Sequence, residues 1–394
     1  MRWAWVGVVL LIAAVTQIHA AKPVTVEQLG QLVDKQVRAH RKDTSVASSL
    51  DKVELSERLT ELDLNKILEK SKPGSKTEAR LRLLAAETTF LNPPADVLVN
   101  DPVPEHGAQQ ALWNSVAEYG VSTQHRLPDF LATRETRMFN NLPYGFQPGF
   151  VLHLDRKTSR VVTYRNGAEV TAPEAGDPAN RLPNAERFSG LESSGEFGTL
   201  LEIVLTDLQK GQLRWSHWEQ TPKGTAAVFT YSIAEERSHF HVGITCCTTG
   251  TALDQTIAQR GYDELPGYHG NIAVDPATGE VTRLTIVAEL PKESFIQRIG
   301  IAIGYERKSI GEKSYMCPVK SVALLGVQLD MLQGETAQQN IAKMPGMSVR
   351  MSGSEIANMA TRKEGIEVLW LNEVEFKNYH RFGATVRILN GDAQ

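Results

Sequence analysis

Residues 193–211 read Ser-Ser-Gly-Glu-Phe-Gly-Thr-Leu-Leu-Glu-Ile-Val-Leu-Thr-Asp-Leu-Gln-Lys-Gly. Phe197, Leu200, Leu201, Val204, Leu205 and Leu208 recur at helical spacing and form an apolar stripe of full width. Ser193 and Glu196 have the spacing of a capping box and Gly211 suits a stop, so a helix is predicted over 196–209. The flanking sequence has a different texture. Leu213, Trp215 and His217 alternate with Arg214, Ser216 and Trp218; Ala227, Phe229, Tyr231 and Ile233 alternate with Val228, Thr230 and Ser232. A period of two marks half-buried strands, and Asn166-Gly167 between residues 161–165 and 168–171 is the strongest short hairpin signal. Asp275-Pro-Ala-Thr-Gly279 and Gly311-Glu312 supply further tight turns. About nine strands joined in this way make an antiparallel meander with one buried face. A lone apolar helix among them belongs across the concave face of a curved sheet. The expected class is therefore α+β, a curved antiparallel sheet covered by an amphipathic helix.

The segment Ile299-Gly-Ile-Ala-Ile-Gly-Tyr305 sharpens that picture. Its large residues share one face and leave Gly300, Ala302 and Gly304 bare on the other, which marks close approach by another backbone or by a ligand. Plain helix-on-sheet packing competes with an apolar ligand cleft; the candidate lining residues are Phe197, Leu201, Leu205, Gly300, Ala302 and Gly304. Upstream, residues 21–104 read as a helical module, either independent or packed on the rest as an arm. Thr25 with Gln28 and Ser75 with Glu78 have capping-box spacing, and Leu29, Leu32 and Val33, then Leu55, Leu59 and Leu62, recur helically. A proline-rich connector follows. The sheet domain is expected over 105–333, starting with a helix through Leu112, Val116 and Tyr119. A polar surface excursion over 334–365 and strands over 366–394 that complete the sheet follow it.

The chain has 394 residues, which at about 100–200 residues per domain allows two or three. Its 41% hydrophobic and 22% charged residues exclude a disordered class. A net charge of −4 offers no general field for gathering nucleic acid, and no basic face carries several aromatics, so no nucleic-acid partner is expected. Residues 1–20 start with Met1-Arg2, continue with an apolar run shorter than a membrane span and end at Ala20, the pattern of a cleaved signal peptide. The mature protein is expected to be periplasmic or secreted, with no stable membrane anchor. In an oxidising compartment, three cysteines suggest one disulfide and one free thiol. Cys246 and Cys247 are adjacent, so one of them can meet Cys317; the buried-looking face of Phe240, Val242 and Ile244 favours Cys246. Closing that loop of about 70 residues would stabilise by roughly 4 kcal/mol in the chain-entropy model.

Nucleophile elbows, phosphate loops, dinucleotide fingerprints and zincin motifs are absent from the sequence. A histidine group remains. His239 and His241, two apart on an expected strand and about 7 Å from each other, could share a zinc ion with His269 or Glu219 as third ligand. Their face is opposite Phe240 and Val242, hence wet, where paired histidines are ordinary. Catalytic residues and cofactors are therefore not assigned.

The chain resembles, over nearly its whole mature length, a family of exported bacterial proteins to which no activity is assigned. The resemblance rests on Val24-Thr-Val-Glu-Gln-Leu29, Leu127-Pro-Asp-Phe-Leu-Ala-Thr133, Gly195-Glu-Phe-Gly198, Ser238-His-Phe-His241, Gly267-Tyr-His-Gly270, Asp275-Pro-Ala-Thr-Gly279, Tyr315-Met-Cys-Pro-Val319 and Asn378-Tyr-His380. In layout it also resembles the periplasmic lipoprotein-carrier fold, an unclosed half-barrel, which implies shelter for an apolar ligand. The helical module and the 334–365 excursion depart from that fold, and a fold transfers function weakly. The expected function is an exported, non-enzymatic binding protein for a lipid-like or other apolar ligand. The alternatives are a zinc-dependent hydrolase using His239, His241 and His269, and a protein-interaction module of the cell envelope acting through residues 21–104.

Overall fold

The N-terminal helices form because each apolar stripe meets its neighbour's. The computed structural model describes residues 23–124, 127–141, 151–170, 191–244, 262–294, 296–329 and 366–381. Helices α1 (Val26–Arg38), α2 (Asp43–Leu50), α3 (Glu61–Ser71) and α4 (Ser75–Glu87) enclose a core of Leu29, Val33, Leu50, Leu64, Leu81 and Leu84. Thr25 and Gln28 make the expected capping box on α1. The box expected at Ser75 is not made. Gly74 is the N-cap of α4, and the Asp43 carboxylate of α2 accepts from the backbone N–H of Lys76 (2.9 Å) and Thr77 (3.0 Å) instead. Bonding from Thr77, by side chain above all, outweighs burial and lowers the Asp43 pKa. Leu55 and Leu59 precede α3 and are buried without being helical.

After a 3-10 turn at Ala95–Val97 come β1 (Leu98–Val99) and α5 (His106–Gln124). Strands β2 (Phe130–Asn140), β3 (His153–Arg165) and β4 (Ala168–Val170) follow, then α6 (Thr199–Asp207). The chain continues through β5 (Gln212–Thr221), β6 (Gly224–Ile233), β7 (Val242–Ile244), β8 (Tyr262–Glu264) and β9 (Tyr268–Val274). It ends with β10 (Val281–Ala288), β11 (Ile296–Ile310), β12 (Lys313–Leu329) and β13 (Ile366–Arg381). Eleven strands form one antiparallel sheet in the order β1-β5-β6-β9-β10-β11-β12-β13-β2-β3-β4, while β7 and β8 pair apart. The two edge strands do not pair with each other, so the sheet is open. From β5 to β13 it is the expected meander. The strand at 366–381 rejoins the sheet, lying between β12 and the earlier strand β2.

The turns are where the sequence put them. Asn166 (φ 52°) and Gly167 (φ 79°) both take the left-handed backbone that joins β3 to β4 with the right twist. One alternation is broken. The β5–β6 register shifts between Trp215 and His217, so Trp215 faces Phe229 and Trp218 faces Ala227, on one side of the sheet. A β-bulge has that effect, since one extra residue reverses the parity beyond it. The indoles, expected on opposite faces, meet edge to face at 4.7 Å.

Helix α6 packs across one face of the sheet. Leu200, Leu201 and Val204, with Val116 of α5, pack on Phe229, Tyr231, Ile272, Leu284, Ile286, Ile301 and Ile303. The helix starts later than predicted, at Thr199, because Gly198 (φ 134°) is its N-cap and Ser193 and Glu196 are engaged elsewhere. The helical module sits against part of the opposite face. Leu83 and Ala86 of α4 join Val322 and Leu371, and Arg58 reaches Glu219 on β5 at 2.7 Å. The expected signal peptide, the 334–365 excursion, residues 382–394 and both Cys246 and Cys247 lie outside the described residues. Cys317 is a buried free thiol beside Phe130, Phe197 and Phe376, and burial pushes its pKa up to about 12. No helix among the described residues is long and apolar enough to cross a membrane.

Candidate functional site

The six residues expected to line an apolar cleft are not brought together. Phe197 belongs to an aromatic cluster, 4.9 Å from Phe376 and 5.4 Å from Phe130 between ring centroids. Leu201 is buried in the core under α6. Leu205 abuts Gly120 of α5, where a Cβ would come within 2.0 Å of its methyl group. Gly300, Ala302 and Gly304 point to the other side of the sheet, since Ile301, Ile303 and Tyr305 face α6. A Cβ on Gly300 would meet the Phe90 ring at 2.9 Å. The small-residue face therefore receives the helical module, and the close approach it signalled is made by Phe90.

The three histidines do not converge either. Residues 238–241 are not a strand, so the two-apart geometry expected of His239 and His241 is not made. Each ring has its own carboxylate. His239 Nδ1 bonds Asp207, His241 Nε2 bonds Asp263, each in a short contact, and His269 Nδ1 lies 3.4 Å from Glu289. Asp207, fully buried at the end of α6, also accepts from Tyr268 Oη (2.7 Å) and His239 N–H (3.0 Å). Glu219 is held by Arg283 and Arg58 rather than by any of the three. No group of three or more His, Cys, Asp or Glu side chains among the described residues could hold a metal.

A polar cavity among the described residues lies elsewhere, on the α6 side of the sheet where β13, β2 and β3 run together. Paired strand residues share a face, so Arg134, Thr136 and Met138 of β2, Thr158, Arg160 and Val162 of β3, and Asn372 of β13 floor it. Residues 191–194 pass over this floor, tied by Asn372 Nδ2 to the Leu191 carbonyl, and leave a cleft of about 550 Å³ including space open to solvent.

Arg134 is its anchor. Nη2 donates to Glu196 Oε1 (3.1 Å), Ser193 O (2.8 Å) and Ser193 Oγ (3.0 Å), and the guanidinium lies 5.6 Å from the centroid of the Phe376 ring. Glu196, fully buried, also accepts from Ser193 Oγ (2.8 Å) and Ser321 Oγ (3.2 Å). Ser193 and Glu196 therefore meet as predicted, but to hold an arginine rather than to cap a helix. Glu169 of β4 forms one wall, its Oε1 3.7 Å from Arg134 Nη1. Burial, then the Glu196 charge, raises its pKa against the pull of Arg134 and of the Gly195 backbone bonded to the carboxyl. At the rim Arg160 stands 4.0 Å from Glu192.

Sequence reasoning missed Arg134, Glu169 and Asn372. A signal for Arg134 existed: it shares the parity of Phe130 and Ala132, the buried side of β2, where a lone cation has no ordinary reason to be. Compared with family models, with curated proteins and with solved structures, the chain matches none.

Proposed function

We propose that the protein is an exported, non-enzymatic binding protein, that its open sheet is a half-barrel of the lipoprotein-carrier kind, and that an amphiphile occupies the cleft floored by Arg134. The carrying observation is the composition of that cleft. Met138, Val162 and Leu191 give it apolar surface, while Arg134, Arg160, Thr136, Thr158 and Asn372 give it oriented polar groups. Polar groups placed beside apolar surface are what orient a small ligand in its site and give it specificity. Among the described residues the core under α6 is packed with side chains, which moves the proposed ligand from beneath the helix to the end of the sheet beyond it. Leader cleavage and export remain part of the proposal, on the sequence of residues 1–20.

The test is titration of the purified protein with a fluorescent long-chain amphiphile, alongside Thr158→Trp, which fills the cleft from its half-buried floor. Saturable binding by the wild type and its loss in the variant, with the circular dichroism spectrum unchanged, is the expected result. Absence of binding, or binding that Thr158→Trp leaves intact, rejects the site.

A further inference from the structure

We propose that Glu169 selects the ligand's headgroup, taking a hydrogen-bond donor, hydroxyl or ammonium, on its Oε2 atom. This rests on the reading of the cleft given above. Glu169 Oε2 is buried and has no hydrogen-bond partner, although its residue lines the cleft. Buried polar atoms are nearly always paired, and an orphan in a cavity wall is a vacancy for a donor. The neighbouring cation does not fill it. Arg134 spends its Nη2 on Glu196 and Ser193, its Nη1 lies 3.5 Å from Glu196 Oε2, and both outrank the 3.7 Å approach to Glu169.

Charge argues the same way. The inner end of the cleft holds one guanidinium against two carboxyl groups, Glu196 and Glu169, while Arg160 and Glu192 balance at the rim. An anionic head pushed inward would meet an excess of acid. A hydroxyl or an ammonium would meet an acceptor. Selectivity follows, because a site built to bond a donor rejects the analogue that lacks one more strongly than an apolar pocket rejects a change of size.

The experiment is isothermal titration of the intact protein, below micelle concentrations, with four twelve-carbon amphiphiles. They are dodecylamine, glyceryl monolaurate, dodecanoate and methyl dodecanoate. Expected is at least tenfold tighter binding of the first two than of the last two, and loss of that difference in Glu169→Leu. Glu169→Gln, which keeps an acceptor without the charge, is expected to retain glyceryl monolaurate and lose the preference for dodecylamine. Tightest binding of dodecanoate, indifference to the headgroup, or discrimination that survives both variants overturns the role of Glu169 and leaves the cleft standing. No binding of any of the four overturns both.

Discussion

Replacing Glu219 by Gln tests what fastens the helical module to the sheet. The Glu219 side chain is 3% exposed and accepts from Arg283 Nη1 (2.7 Å) and Nη2 (2.8 Å), with Arg58 Nη2 at 2.7 Å and His217 Nε2 at 3.4 Å. Burial alone would raise its pKa, but bonds from Arg283 and His217 and the charges of Arg283 and Arg58 hold it far below the usual carboxylate range. Burial, with the charge of Arg283, pulls the Arg58 guanidinium down to about 10 even so. An amide at this position leaves two guanidiniums facing each other uncompensated. Breaking a buried pair from one side costs about 3–5 kcal/mol. With a urea m-value of ~3 kcal/mol/M, the midpoint should fall by roughly 1–2 M. The assay is urea unfolding followed by tryptophan fluorescence and circular dichroism. A triple variant, Arg58→Met with Glu219→Leu and Arg283→Met, should lose less than Glu219→Gln, because it strands no charge. The folded pKa is depressed, so this stabilisation is complete above the unfolded glutamate value of about 4.3 and is lost as pH falls toward the folded value. The gap between wild type and Glu219→Gln should be flat from pH 5 to 8 and narrow below pH 4. A midpoint shift under 0.3 M (an order-of-magnitude threshold of about 1 kcal/mol), or a triple variant weaker than the single, would refute the reasoning.

Gly300→Val should cost about 1–3 kcal/mol by overlapping the Phe90 ring, and thermal melts should show partial recovery in the double variant with Phe90→Leu; strictly additive losses would contradict the contact. Asp43→Ala removes both bonds to the first turn of α4 and should cost about 0.5–2 kcal/mol in urea unfolding. Since the Asp43 pKa is lowered on folding, that loss should be full above about pH 4 and shrink below it; a constant difference down to pH 2 would speak against the cap. Cys317 should resist iodoacetamide in the folded protein at pH 8 and react once unfolded without reductant, read by peptide mapping; labelling of the folded protein would show the thiol is not buried as described.

Legibility in the sequence followed the range of the interaction. Asn166-Gly167, the 275–279 turn and the stripe from Leu200 to Leu208 are decided within a few residues, and each was readable. So was the α+β class with its antiparallel meander. What failed depended on a partner far along the chain. Ser75 is not a cap because Asp43, from another helix, takes the role. Glu196 does not serve its own helix because Arg134, 62 positions earlier, supplies a charge and Ser321 a hydroxyl. Trp218 changed sides through a single bulge that composition does not announce. The bare strand face at Gly300 was read as a site of close approach by a backbone or a ligand; the approach is made instead by the Phe90 side chain, which nothing local could say. The cleft is the extreme case, since its floor draws on β2, β3 and β13, strands distant in sequence.

That cleft also sits where the fold has least reason to put polarity. On the same side of the sheet, one apolar cluster lies under α5 and α6 and a second surrounds Phe130, Phe197 and Phe376. Ser321 of β12, Asn372 of β13 and Arg134 of β2 are polar on this side, joined by Glu196 and, at the edge strand β4, by Glu169. Replacing a buried ion pair with apolar residues of similar volume is often neutral or stabilising, so stability alone does not favour charge here. Arg134 on the parity of Phe130 and Ala132 and the acid fully buried beside it tie residues 193–196 to the sheet, but the second acid, left with an orphan oxygen, adds nothing to that tie. Residues that break the local rule without compensation in the fold concentrate at functional sites. Across the sheet, Ser321 alone separates Ile303 from Val374, and its hydroxyl serves Glu196. The unpaired Glu169 oxygen at the cleft wall is what motivates the proposed ligand, and Glu169 is the point at which that proposal can be weighed.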